Sequence, residues 1–168
     1  MGNEQEQERF VPGLELAEGF FREEVELILE SHYPYLPYSA ALIGSGSEVL
    51  GFDTRMSADH HWGPRVMLFL RPEDFGSKRV EIRTALSELL PASYRGFSTN
   101  FSEPDPEDRG TQVLQPVSSG PINHRVEIFT IAGFLADYIH IQVDAELDTL
   151  DWLTLPHQKL RSIVAGRF

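Results

Sequence analysis

A chain of 168 residues, 41% hydrophobic and 11% aromatic, is long enough to bury a core of its own and is expected to fold as one domain. Its net charge of −12 at pH 7 weighs against non-specific binding to nucleic acid or to an anionic membrane, because attraction to phosphate dominates such affinity. The absence of cysteine excludes disulfides and thiol chemistry, and no apolar run approaches the eighteen residues of a membrane-spanning helix.

The acid is unevenly placed. Residues 1–30 hold nine glutamates against Arg9 and Arg22. The start, Met-Gly-Asn-Glu-Gln-Glu-Gln-Glu-Arg, is polar and acidic where an export signal is basic and then apolar, so the cytoplasm is the expected location. Residues 1–12 are expected to be a disordered tail, with the domain spanning 13–168.

From Leu14 the apolar positions Leu14, Ala17, Phe21, Val25 and Ile28 step at the helix period, and glutamates fill the opposite face. This predicts an amphipathic helix ending near His32, before Pro34 and Pro37. Ser39 to Ile43 and Val66 to Leu70 are short apolar runs, read as two central strands covered on both faces. A second helix carries Ile82, Ala85, Leu86, Leu89 and Leu90 inward, and Pro91 closes it. Tyr94 to Asn100 is a candidate strand. Residues 101–121, with four prolines and two glycines, read as a loop of the length typical of lids or disordered insertions.

His124 to Phe129 alternates polar and apolar as a further strand. Ile131, Phe134, Leu135, Tyr138 and Ile139 mark a third helix. Asp148 to Trp152 is a turn or short helix, and Thr154 is placed to cap a last helix that carries Leu160, Ile163 and Val164. The order of elements predicts an α/β or α+β fold, a small mixed sheet with helices packed on it.

The densest chemistry lies between the first two strands. Gly44-Ser45-Gly46-Ser47 directly after a strand can turn tightly and aim backbone N–H groups at an anion. A dinucleotide fingerprint would need its third glycine two residues earlier than Gly51, and a P-loop would need a lysine, of which none precedes Lys78. Arg55 and Arg65 flank the polar loop, where their planar forks suit phosphate. Asp53 is a further carboxylate there or a turn residue, and Trp62 either stacks on a base or covers the core edge.

Gly46-Ser47 followed by Gly51 resembles the glycine pattern of the nucleotidyltransferase superfamily. There the loop leads to Ser-Asp-x-Asp, whose carboxylates hold the catalytic magnesium. Here Ser57-Ala58-Asp59-His60-His61 stands in that place, with one extra residue and with His61 where the second carboxylate belongs. From about Gly13 to the end the chain resembles an uncharacterised bacterial family with a nucleotidyltransferase-like fold, most specifically over Gly44–Leu70 and Asp151–Phe168. That resemblance implies that such chains continue further, so that this one is truncated at its C-terminus.

It also implies metal-dependent transfer of a nucleoside monophosphate from an NTP to a hydroxyl of a small molecule or protein. Gly46 and Ser47 would cradle the phosphates and Arg65 clamp them. Asp59, His61 and Glu127 would form the catalytic and metal-binding set, holding Mg²⁺ or Mn²⁺. Glu127 is the choice for the third carboxylate because it alternates with Val126 and Ile128. Imidazole is a poor magnesium ligand, so His61 acts as an unusual ligand or as a general base. Two other readings stay open: a non-catalytic nucleotidyltransferase-fold module for binding or regulation, and a metal hydrolase using Asp59, His60, His61 and His124.

Overall fold

The computed structural model describes residues 10–54, 62–108 and 110–168. The N-terminal helix has three contiguous parts: α1 (Gly13–Phe20), a π-helical turn (Phe21–Val25) and α2 (Glu26–His32). Its buried apolar side chains are Leu16, Ala17, Phe20, Phe21, Val25 and Leu29, so they include Leu16, Phe20 and Leu29 beyond the expected stripe. Positions 17, 21, 25 and 29 repeat every four residues. On a plain α-helix of 3.6 residues per turn such a repeat drifts about 40° per step, and the wider π turn takes up part of that drift.

Three strands form the main sheet in the order β1 (Tyr38–Ala41), β2 (Arg65–Leu70), β5 (Arg125–Phe129). β1 pairs antiparallel with β2, with Tyr38 opposite Leu70, and β2 pairs parallel with β5, with Met67 opposite Glu127. β2 is buried along its whole length, as its unbroken apolar run demands. The expectation that both early strands are central is corrected for β1, which is an edge strand with Ser39 exposed. Just past its end, Leu42 makes an isolated antiparallel bridge with Arg167.

Helices cover both faces. Val66, Leu68 and Leu70 of β2 join Val126, the N-terminal helix and Ile82 and Leu86 of α3 (Pro72–Leu89) in the larger core. Met67 and Phe69 face the other way, onto Phe134 of α4 (Ile131–Ile139), with Ile163 of α6 (His157–Ala165) beside them. Each fully buried Leu, Ile or Phe contributes on the order of 1.5–3 kcal/mol, which makes the two faces of β2 the main anchors of the fold. The result is α+β. Leu89 and Val164, expected inward, are exposed.

After α3 comes a small hairpin, β3 (Ser93–Tyr94) and β4 (Phe97–Ser98), where a single strand was expected. The long segment after it is tied down. Phe101 is buried and bridges Leu114, Asp105 bridges Thr111, and the Asn100 side chain accepts from the Asn123 N–H and donates to the Gln115 carbonyl. A short helix, α5 (Thr149–Thr154), opens on a reciprocal cap between Asp148 and Asp151, and Pro156 rather than Thr154 precedes α6. The expected disorder is also corrected at residues 10–12: Phe10 and Val11 pack on the core, with the Phe10 ring 6.2 Å from that of Trp62. Residues 1–9 lie outside the described ones.

Candidate functional site

The glycine turn stands at the C-terminal end of β1, as its sequence predicts. Gly44 and Gly46 take φ of 81° and 138°, values that a side chain disfavours. The turn is backed from two sides. The Gly44 N–H donates to the Ser162 carbonyl on α6 at 3.1 Å. The other wall is a buried ion pair: Arg65 Nη2 lies 2.5 Å from Glu48 Oε1 and donates to the Ser45 carbonyl at 3.1 Å. A Cβ at Gly46 would lie 2.6 Å from Arg65 Nη2 and 2.5 Å from Glu48 Oε2, so glycine is required there by packing as well as by φ.

Arg65 is therefore engaged from inside the protein, at the head of β2, rather than extended into solvent. Its Nε is buried and has no hydrogen-bond partner among the described residues. The N–H groups of Ser45, Gly46 and Ser47 likewise take no hydrogen bond among the described residues. The burial of Glu48 as a structural partner was not expected. The available signal was Arg65 itself, a lone charge opening an all-apolar strand, which calls for a buried counter-charge.

Asp53 is also committed. Its Oδ2 accepts from the Gly13 N–H at 2.6 Å and from the Trp62 indole at 3.3 Å. The carboxylate thus caps the start of α1, where Pro12 offers no side-chain acceptor and where the helix dipole favours negative charge. Trp62 is buried between Phe10 and Phe97, on the core-covering side of the two readings given to it.

Glu127 lies on β5 directly beside β2, on the sheet face that carries Arg65 and Met67. Its carboxylate is 3.7 Å from Arg125 Nη2. Burial lowers the Arg125 guanidinium from its ordinary pKa, with Glu127 opposing the shift and Arg65 adding to it, and an arginine stays charged at neutral pH regardless. Arg125 also lies over the Phe101 ring, 5.8 Å from its centroid.

His124 is corrected as a hydrolase ligand. It is buried, its Nε2 donates to the Arg83 carbonyl at 3.0 Å, and its Nδ1 accepts from the Val126 N–H at 3.1 Å. Both nitrogens are in use and burial lowers its pKa, so the ring is a neutral structural group.

Beside Glu127 a groove of about 850 Å³ runs along the outer edge of β5, between α3 and the segment carrying Glu103, Pro104 and Gln112. Its α3 wall presents Arg79 and Arg83, which in the sequence are ordinary members of an exposed helix face. Asp59 and His61, with Arg55, Ser57 and His60, lie outside the described residues; among those that are described, no cluster of three or more His, Asp or Glu could hold a metal. In comparisons with known proteins, no family model matches the chain, and neither a curated protein nor a solved structure matches it.

Proposed function

We propose that this chain is a nucleotidyltransferase-like domain that binds an NTP with Mg²⁺ or Mn²⁺ and transfers the nucleoside monophosphate to a hydroxyl of a small molecule or protein. The observation that carries this reading is the glycine turn: three successive N–H groups without partners among the described residues, at the end of a strand paired to β2. Unpartnered N–H groups in a glycine turn are the kind of donors that can hold an anion. The orphaned Arg65 Nε beside it, a buried donor with nothing to bind among the described residues, supports the same ligand.

Gly46 and Ser47 would hold the phosphates. Glu127, on the strand next to β2, would supply one carboxylate, and Asp59 and His61, in the segment leading into β2, would complete the metal site. Metal would neutralise charge building on the phosphates and orient the attacking hydroxyl.

A non-catalytic binding module is the second reading, and the Glu48–Arg65 pair favours it. A guanidinium already engaged by a buried carboxylate gives up little of its charge to a phosphate. Calorimetric titration with ATP and GTP tests both. Binding is expected only with Mg²⁺ or Mn²⁺, to fall at least tenfold in Asp59→Ala and Glu127→Gln, and to tighten in His61→Asp. Equal binding by wild type and Asp59→Ala, irrespective of metal, would remove the site. Metal-dependent binding without pyrophosphate release across a broad acceptor screen would establish the non-catalytic module.

A further inference from the structure

We infer that the outer edge of β5 is a docking site for an extended peptide that adds to the sheet as a fourth strand and carries carboxylates at alternate positions. The inference is independent of nucleotide binding. Three observations combine in it.

The first is an open edge. β5 is the last strand of its sheet among the described residues. The Val126 N–H donates to His124 Nδ1, so it points away from β2, and strand alternation puts the Ile128 N–H and carbonyl on that same outer side. His124 thus occupies the first outward donor, and Ile128 presents the next one. An exposed row of such groups is a template for another strand.

The second is room. The groove follows β5 continuously from Asn123 to Phe129, and its volume falls within the roughly 300–1,000 Å³ range of ligand clefts.

The third is charge. α3 packs on the sheet face that carries Val126 and Ile128, so every second side chain of an added strand would face α3. There Arg79 and Arg83, one helical turn apart, make no ion pair among the described residues; Glu127 already has Arg125, and Glu88 and Glu103 also line the groove, so an entering carboxylate is favoured at the two arginines and not along the whole wall. Val80, 65% exposed between them, offers apolar contact. Alternating carboxylates would meet the two guanidinia at close range, and arginine forms its strongest hydrogen bonds with such groups.

The test uses the whole chain and a fluorescein-labelled heptapeptide of alternating valine and glutamate, followed by fluorescence anisotropy at low and physiological salt. Saturable binding is expected, with at least a tenfold loss for the protein Arg79→Glu/Arg83→Glu, for a peptide with lysine in place of glutamate, and for a peptide N-methylated on alternate amides. Both substituted side chains are on the helix surface, and circular dichroism checks that the variant folds. Hydrogen exchange of the Ile128 amide should slow when the peptide is bound. No saturable binding at millimolar peptide would overturn the proposal. So would equal binding by the charge-reversed protein, indifference to N-methylation, protection confined to residues outside β5, or tighter binding of a labelled oligothymidylate than of the peptide.

Discussion

The two flanks of the sheet treat charge in opposite ways. On the β1 side, two acids of the polar stretch are turned inward among the described residues: Glu48 holds Arg65, and Asp53 holds the start of α1 and Trp62. Beyond β5, Arg79 and Arg83 stand beside an open groove with no ion-pair partner among the described residues. A high density of glycine, acid and arginine in a sequence is therefore as much a sign of a loop that must be built from buried polar contacts as of a site. Helix-surface arginines, which attract no notice in a sequence, become candidates once a neighbouring strand is known to be unpaired.

The contrast is broken most severely by removing one member of the buried pair. Arg65→Ala or Glu48→Ala leaves an uncompensated charge in the interior and should cost about 3–5 kcal/mol, whereas Arg79→Ala should stay within about 0.5 kcal/mol of wild type. Urea denaturation of the three variants measures the difference, and comparable losses at Arg65 and Arg79 would refute the contrast.

Glycines sharpen it next. Gly46→Ala forces a side chain against Arg65 and Glu48 at φ of 138° and should destabilise by about 1–3 kcal/mol. Gly76 in α3 faces open space, so Gly76→Ala should stabilise by up to about 1 kcal/mol through helix propensity. Opposite signs in the same melting experiment are the expected result.

Asp53→Ala should cost about 0.5–2 kcal/mol, the range for a lost helix cap. Tryptophan fluorescence should report it too, since the Trp62 indole N–H loses its acceptor.

The smallest effect is one of pH. His124 is held neutral by burial, so its folded pKa lies below its unfolded one of about 6.5. Below that value the unfolded chain binds the proton first. Stability is then full above about pH 6.5 and declines as pH falls through the depressed folded value. His124→Gln should flatten that part of the stability profile; an unchanged slope would assign it to other groups.

Much of this was legible from residue order. Val66 to Leu70 has no polar residue and became the central strand, and α3, α4 and β5 fell close to their predicted places because each has a clear period. The edge position of β1 was not legible. A short run of small and apolar residues reads alike in a central strand and in an edge strand that has a helix on one side. Nor was the ordered course of residues 101–108 and 110–121, since it depends on Asn100 and Asn123, whose amides bond across more than twenty residues of sequence. For the site, Gly46 packs against Arg65 at the head of β2, and Glu127 lies on the adjacent strand. The inward Glu48 was hidden because an acid in a polar loop gives no sign of its burial.

The π turn in the N-terminal helix has a consequence for how this chain can vary. A helix that widens for one turn holds one residue more than its length in turns requires, as though an insertion had been absorbed without re-threading the helix beyond it. A shorter relative could omit one position between Phe21 and Val25, close that turn to ordinary α-helix, and still bring Leu29 to the core. The same omission a few residues earlier, inside α1, would rotate Phe20 by about 100°, one α-helical step, and turn it from the core toward water. Length differences among relatives of this chain should therefore collect at the wide turn and avoid the regular helix on either side.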